Sequence, residues 1–485
     1  MNSFDLAIIG AGPAGYVAAI RASRLGAKVC LVEKDELGGV CLNRGCIPTK
    51  TLLKTAELMS QIRSAEQFGV SIHSSQQHPT ITSSSEKGFA SAHPPFLDLA
   101  LAMKRKDQVV STLVAGIEAL FKSWKIETKK GLASFTARNK ILVRAGSDKQ
   151  EISANAFLIA TGSSPSQIPA LPVDGLYILT SDHLLQITEV PHNIIIVGAG
   201  AIGCEWAFIM KNFGAEVTLV EMLDQVAPTE DEMVGELLGR EMKKLEIKLL
   251  LKDKIEKVDQ VTSGVIAKTA SGQELRADRL LVSVGRTPNS KGLGLENIGC
   301  ETDPKGFIKV NAKMETSVPK IYAAGDVCGG MLLAHKASAE GKVAAANALG
   351  QKQEMDYSAI PSVIFTSPEA ASCGMREKEA KEKGINYGTG SFPVRALGKA
   401  HAMGEIAGEI KFIFAKDTGK ILGCHIIGPH ASELIHEAAL AIKLKATVKN
   451  IADTIHAHPT IAEGLMEAAE ACLGEAIHLP KQKPK

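Results

Sequence analysis

Two stretches of the chain repeat one pattern of apolar and polar positions. In residues 5–33, DLAIIGAGPAGYVAAIRASRLGAKVCLVE, a short apolar run ends in Gly10-x-Gly12-x-x-Gly15, an alanine-rich segment follows, and a second apolar run closes at Glu33. Residues 193–221, NIIIVGAGAIGCEWAFIMKNFGAEVTLVE, repeat it with Gly198, Gly200, Gly203 and a closing Glu221 at the same spacing. Strand-length runs around a helix-length segment predict a βαβ unit in each place. NAFLIATGSSP, RLLVSVGRTPN and KIYAAGDVCGG predict further strands that end in turns, around Thr161 and Gly162, Gly285 and Arg286, and Gly325 and Asp326. IPTKTLLKTAELM predicts a helix with Pro48 near its start, and ELIHEAALAIKL a helix with an apolar packing face. Ser74 to Pro95 is polar, rich in Ser and Pro and without period, which predicts a surface loop or disordered insertion.

The glycine pattern has a physical reading. The first glycine permits a tight turn, the second lets backbone approach a pyrophosphate, and the third lets the helix pack close on the strand. The helix start then offers its unpaired N–H groups and positive dipole end to phosphates, and the closing glutamate accepts from ribose hydroxyls. One such pattern is weak; two full copies at matched spacing predict two dinucleotide sites. One flavin and one nicotinamide form the pair that moves electrons between two-electron carriers. Asp326, at the end of a further strand, is a carboxylate placed to take a flavin-nucleotide hydroxyl.

Length and charge narrow the class. A chain of 485 residues predicts three or four domains with large cores. Lys plus Arg number 55 against 53 Asp plus Glu, and no apolar run approaches the ~20 residues of a membrane span. Nucleic acid and lipid are therefore not expected partners, and the basic end PKQKPK is read as a solvated tail. Nine cysteines, an odd number, are scattered along the chain, and MNSFDLAIIGAG lacks the features of a signal peptide. The expected setting is reducing and cytoplasmic.

Cys41 and Cys46 have four residues between them in GGVCLNRGCIPTK. A disulfide there would restrict the unfolded chain by only about 2 kcal/mol, and the cytosol would tend to reduce it. A metal would need further ligands, yet the sequence has no second cysteine pair or Cys/His knuckle. Redox chemistry remains, because a helix start and Lys50 both favour thiolate beside a flavin.

Nearly the whole chain resembles the pyridine nucleotide-disulfide oxidoreductases. The resemblance rests on GGVCLNRGCIPTK, both glycine fingerprints, ATG, GRTPN, AAGDV, LLAHKASAEG, FTSPEAASCG and HAHPTIAEG, in the family's order. It implies an α/β fold of two Rossmann-like dinucleotide-binding domains with a central domain and a C-terminal α+β dimerisation domain. The expected layout is an FAD domain at 1–161, an NAD domain at 162–286, a central domain returning to FAD at 287–355 and the dimerisation domain at 356–485. By the same resemblance Gly10, Gly12, Gly15, Glu33, Lys50, Thr161, Gly162 and Asp326 hold FAD. Gly198, Gly200, Gly203, Glu205, Glu221 and Gly285 serve NAD, with Glu205 opposite Lys50. Glu221 is followed by Met222 and Leu223, with no arginine to receive a 2′-phosphate, which favours NAD over NADP.

In HAHPTIAEG, a histidine near neutral pKa can take a thiol proton while a carboxylate fixes its tautomer. Such a pair alone is more often structural; in the family's position His458 is the base and Glu463 its orienter, and His456 is read as structural. The family mechanism then has a dithiol attack Cys41, with Cys46 against the flavin. Leu42 and Asn43 resemble the members that oxidise dihydrolipoamide more than glutathione reductases. That implies lipoyl domains of 2-oxoacid dehydrogenase or glycine cleavage complexes as partners, and a homodimer whose site is completed across the interface.

Arg44 departs from the family, where a small apolar residue is usual, and brings a positive charge to the motif without changing the class. Two other readings stand beside the main one. A sibling NAD(P)H-dependent reductase of glutathione or a related thiol would keep most of these parts, whereas a mercuric reductase would carry a terminal cysteine pair that AIHLPKQKPK lacks. A non-catalytic flavoprotein component of an assembly would not need its thiols.

Overall fold

The structure is a computed structural model that describes residues 3–70 and 96–480. The insertion expected at 74–95 lies outside the described residues.

The first βαβ segment forms strand Ser3–Ile9, helix Pro13–Arg24 and strand Val29–Glu33. These strands pair in parallel, Leu6 with Val29 and Ile8 with Leu31, and Glu127–Lys130 continues the sheet beyond Val29–Glu33. On the other side Ser3–Ile9 pairs with Asp148–Ile159, a strand that serves two partners. Its first half, up to Ser153, runs antiparallel to Lys140–Ala145, which in turn pairs with Leu132–Ala137. Its last three residues, Phe157 to Ile159, run parallel to Ile321–Ala323. Leu6, Ile8, Leu31 and Leu158 are buried on one face and Ala7, Ile9, Phe157 and Ile159 on the other. Burial on both faces explains why these strands read as unbroken apolar runs.

The second copy repeats this plan. Its parallel sheet runs Lys248–Leu251, Glu216–Glu221, Asn193–Val197, Arg279–Val282, Ile178–Leu179. A three-stranded antiparallel sheet, Ile255–Val261, Gly264–Thr269 and Glu274–Ala277, stands where the first unit has its hairpin. One difference separates the copies: the fifth strand of the second sheet precedes its βαβ segment in the chain, whereas Ile321–Ala323 follows. The chain enters and leaves the second unit through a two-stranded ladder of Ser163–Pro165 and Arg286–Pro288.

The third unit is an antiparallel sheet in the order Pro361–Ile364, Glu369–Gly374, Ile421–Gly428, Glu409–Ala415, Tyr387–Pro393. Helices Ala431–Lys443 and Glu463–Leu473 back it, burying Ile435, Ala438, Leu465 and Ala468 with Phe392 and Phe412. One hydrophobic cluster joins all three units. Leu52, Leu53 and Ala56 of helix Cys46–Ser64 meet Trp206 and Met210 of helix Ala201–Phe213, and Ile364 and Ile427 of the third unit. No helix among the described residues is long and apolar enough to cross a membrane.

Candidate active site

The two glycine loops have the same geometry. Gly10 and Gly198 adopt φ of +102° and +97°, a conformation that L side chains rarely take. A Cβ on Gly15 or Gly203 would come within 1.9 Å of the carbonyl oxygen of Gly10 or Gly198, so helix and strand meet only because both are glycine. A Cβ on Gly12 or Gly200 would meet nothing within 4 Å, and neither following helix start carries a side-chain cap. Open space before unsatisfied N–H groups fits a dinucleotide pyrophosphate in both places.

The closing glutamates also match. Glu33 accepts from Ala11 N–H at 2.6 Å and Asp35 N–H at 2.8 Å. Glu221 accepts from Ala199 N–H at 2.8 Å and Leu223 N–H at 2.9 Å. Each acid thus braces its glycine loop, a role that the spacing alone does not reveal.

Around the strand crossings, Thr161 Oγ1 donates to Asn289 O at 2.8 Å, and Asn289 N–H donates to Gly162 O at 3.0 Å. Asp326 accepts from Ser163 Oγ at 2.6 Å. Arg286 Nε donates to Ser163 Oγ at 2.7 Å and lies 3.9 Å from Asp326. Gly285, at φ +112°, joins the second sheet to this ladder, and its carbonyl accepts from Ser166 N–H. Asp326 therefore stands at the end of the first sheet.

Cys41 lies in the short helix Gly39–Arg44, and Cys46 is the first residue of helix Cys46–Ser64. Both are free thiols, partly buried. The neighbouring Cys41 thiol lowers the pKa of Cys46; burial opposes this, and the Lys50 ammonium adds to it. Cys41 is raised by its neighbour and by burial. Cys46, at a helix start and beside Lys50, is the sulfur whose surroundings favour thiolate. Asn43 Nδ2 donates to Leu37 O and Gly39 O, both at 2.9 Å, which fixes the helix between the sulfurs.

The charge that Arg44 brings to the motif does not stand free beside the thiols. Its guanidinium pairs with Asp35 at 2.6 Å and lies 3.9 Å from Asp182, so its charge is met by carboxylates. The cation that acts on Cys46 is Lys50. Lys50 also donates to both oxygens of Glu205, at 2.9 and 2.8 Å, joining the first unit to the second. Phe365 of the third unit completes the junction: its N–H donates to Glu205 at 3.1 Å and its ring lies 4.6 Å from the Lys50 ammonium.

His458 Nδ1 lies 2.9 Å from Glu463 Oε1, and Thr460 N–H donates to Glu463 Oε2 at 2.8 Å. Burial acts to raise Glu463, but these bonds and the imidazole outweigh it and hold the carboxylate below its ordinary range. The His458 side chain is 77% exposed, with Nε2 left for another group. Among the described residues no hydrogen bond joins it to the cysteine segment of its own chain. His456 is engaged at both nitrogens, by Thr454 O and Glu437, as suits a structural residue.

The residues that the sequence did not announce are Ser163, Asn289 and Phe365. Ser163 and Asn289 sit beside the strand-end turns, where a small polar residue was the available signal. Phe365 contributes a backbone N–H and a ring face, and neither leaves a chemical mark in the sequence. Among the described residues no group of three or more His, Cys, Asp or Glu side chains is placed to hold a metal ion.

Two dinucleotide cradles that converge on a thiol pair define an oxidoreductase of the dithiol-exchanging class. The chain belongs to the pyridine nucleotide-disulphide oxidoreductase family, whose model matches residues 4–341, while the family's dimerisation domain matches 360–469. It is similar to the dihydrolipoyl dehydrogenase of Thermus scotoductus, 41% identical over 99% of each chain. It also resembles a dihydrolipoyl dehydrogenase of Bacillus subtilis, 40% identical over 98% of this chain and 99% of that one. Among solved structures, LpdA of Mycobacterium tuberculosis superposes with a TM-score of 0.86 at 27% identity, covering 96% of this chain and 98% of that one. The HOCl-induced flavoprotein disulfide reductase RclA of Escherichia coli, in its Cu(II) complex, gives 0.83 at 26%, over 97% and 99%. The cofactors are FAD and NAD, and the dimerisation domain makes the protein a homodimer.

Proposed function

We propose that the chain oxidises protein-bound dihydrolipoamide to lipoamide and reduces NAD to NADH. The observation that carries this reading is the placement of Cys41 and Cys46 at two consecutive helices beside Lys50, which ties the first nucleotide unit to Glu205 of the second. In this reading residues 1–161 are the FAD domain, 162–286 the NAD domain, 287–355 the central domain and 356–485 the dimerisation domain.

Gly10, Gly12, Gly15, Glu33, Lys50, Thr161, Gly162 and Asp326 hold FAD in this reading. Gly198, Gly200, Gly203, Glu205, Glu221 and Gly285 serve NAD, with Met222 and Leu223 after Glu221 offering no cation to a 2′-phosphate. When bound, FAD supplies the two-electron carrier between thiols and nicotinamide.

The catalytic cycle starts with Cys41 and Cys46 joined as a disulfide. His458 of the partner subunit takes the proton of one substrate thiol, and the freed sulfur bonds to Cys41. The Cys41–Cys46 bond breaks, and its electron pair stays on Cys46 as thiolate. The second substrate sulfur then displaces Cys41, which leaves as a thiol carrying that sulfur's proton, and the substrate departs as a disulfide. This half-reaction ends with thiol at Cys41 and thiolate at Cys46, and the helix start and Lys50 favour the charge on Cys46. Glu463 holds the imidazole by Nδ1 and leaves Nε2 for the substrate proton.

The partners in this reading are lipoyl domains of a 2-oxoacid dehydrogenase or glycine cleavage complex, and the compartment is the cytoplasm, where the seven unpaired cysteines outside the redox pair suit reducing conditions. Anaerobic titration with dihydrolipoamide, followed by NAD, tests the reading. NADH should appear in proportion to dihydrolipoamide consumed. NADPH-driven reduction of glutathione disulfide without dihydrolipoamide oxidation would replace this reading with that of the sibling reductases.

A further inference from the structure

Asp326 sits in a single helical turn, Asp326–Cys328, with a glycine at each end. Gly325 and Gly329 take φ of +85° and +76°, so both ends are conformationally permissive and the backbone alone does not fix the turn. Two side chains of helix Ala334–Ala348 hold it. Glu340 Oε2 accepts from Gly325 N–H at 2.8 Å, at the entrance. Lys336 Nζ donates to Gly329 O at 2.7 Å, at the exit. The two side chains pair at 3.1 Å, and each is only 2% exposed.

A charge pair this deep is a poor stabiliser, since desolvating both ions offsets their attraction. Its geometry is specific: every contact runs to an end of the Asp326 turn or to the partner charge, apart from one. Tyr357, in the segment that enters the third unit, donates its hydroxyl to Glu340 Oε1 at 2.8 Å. The same helix packs on helix Pro13–Arg24, with Ser338 Oγ 3.4 Å from Pro13 O, so one element spans the first glycine loop and the Asp326 turn.

We propose that Glu340 and Lys336 are positioning residues for the flavin nucleotide, clamping the two ends of the turn that carries Asp326, with Tyr357 fixing Glu340 from the side of the dimerisation domain. The proposal rests on the reading of Asp326 as an FAD ligand. Glu340 and Lys336 act through the backbone of residues 325 and 329, not by touching the cofactor.

The test is a double-mutant cycle on FAD affinity, read by flavin fluorescence as apo-protein is reconstituted. Glu340→Ala and Asp326→Ala should each raise the Kd for FAD by at least about tenfold, and the double variant should exceed Asp326→Ala by less than about threefold, since residues acting in series do not add. Glu340→Gln, which keeps an oxygen for Gly325 N–H, should recover most of the affinity. Lys411→Met, a lesion in a separate buried pair with Asp231, should lower Tm yet leave the Kd unchanged. If Glu340→Ala gives no folded apo-protein, Glu340→Gln combined with Tyr357→Phe enters the same cycle. Independent, multiplicative effects, or an unchanged Kd in Glu340→Ala (or, where that variant does not fold, in Glu340→Gln combined with Tyr357→Phe), overturn the proposal alone. An unchanged Kd in Asp326→Ala overturns the flavin reading of Asp326 and the proposal with it.

Discussion

Lys50 grips both carboxylate oxygens of Glu205 across the boundary between the two nucleotide units, yet the two partners are unequally buried. The Lys50 side chain is 31% exposed and that of Glu205 only 4%. The carboxylate therefore depends on the ammonium more than the reverse, and removing one partner of such a pair strands the other.

Lys50→Met should consequently lower the unfolding free energy by about 3 kcal/mol, because it leaves Glu205 buried and uncompensated. Glu205→Gln should lower it by about 1 kcal/mol, since the amide still accepts from Phe365 N–H. Denaturant titration of the FAD-loaded protein compares them, and a larger loss in Glu205→Gln would contradict the asymmetry.

The thiol pair gives a spectroscopic prediction. The neighbouring Cys41 thiol is the largest cause holding Cys46 down. Cys41→Ala should therefore move the Cys46 titration upward toward its ordinary value, followed by thiolate absorbance against pH in the reduced apo-protein. Cys41→Ser and Cys46→Ser should each cut dihydrolipoamide turnover by on the order of a thousandfold or more while FAD stays bound. An unmoved titration in Cys41→Ala would show that Lys50 and the helix start suffice.

Complementation tests where the base comes from. Chains carrying Cys41→Ser and chains carrying His458→Ala are expected to be inactive alone. Co-expressed, random pairing makes about half the dimers mixed, and each has one intact site of two if His458 serves the partner's thiols. Activity should return to roughly one quarter of the parent's. No recovery would place base and thiols in one chain.

Acid should loosen the seam between the second and third units. Asp231 accepts from Lys411 Nζ at 2.9 Å and from Glu377 N–H at 3.1 Å. Burial acts to raise its carboxyl, but His425, Lys411 and the Glu377 N–H outweigh burial and hold it below its ordinary value. A lowered folded pKa means that the unfolded chain binds more protons in mild acid. The contribution is thus complete above the unfolded value and fades as pH falls through the folded one. The stability gap between the parent and Asp231→Asn should be widest near neutral pH and shrink toward acid; a gap that widens toward acid would oppose this sign.

The parts legible in the sequence are those fixed by local geometry. Gly10, Gly15, Gly198 and Gly203 each meet a constraint set within a few residues, a left-handed turn or a contact that a methyl group would fill, so spacing alone exposed both βαβ units. Apolar runs exposed the buried parallel strands for the same reason. Hidden were features whose partners lie far along the chain. Nothing in the local sequence of Asp148–Ile159 says that its two halves join different strands, or that Ile178–Leu179 joins its sheet ahead of the unit it completes. Arg44 read as a free charge because its partner Asp35, nine residues back in the turn before helix Gly39–Arg44, stands at no helical or strand spacing from it. Glu33 and Glu221 were visible as acids at strand ends, but their bracing of the glycine loops emerges only when the loops fold back over them.

The interrupted first unit sets an order of assembly during synthesis. The second sheet is built from one unbroken stretch, from Ile178 to Val282, and has every strand it needs once Val282 leaves the ribosome. The first, begun at Ser3, waits for Ile321–Ala323 to cover the edge at Phe157–Ile159 and for helix Ala334–Ala348 to cover helix Pro13–Arg24. Nascent chains stalled with Val282 emerged and Ile321 still in the tunnel should resist protease across the second unit and be cleaved in the first. An unpaired apolar edge then stands open beside a finished neighbour, so the earliest residues of this protein stay exposed until after the second unit is complete.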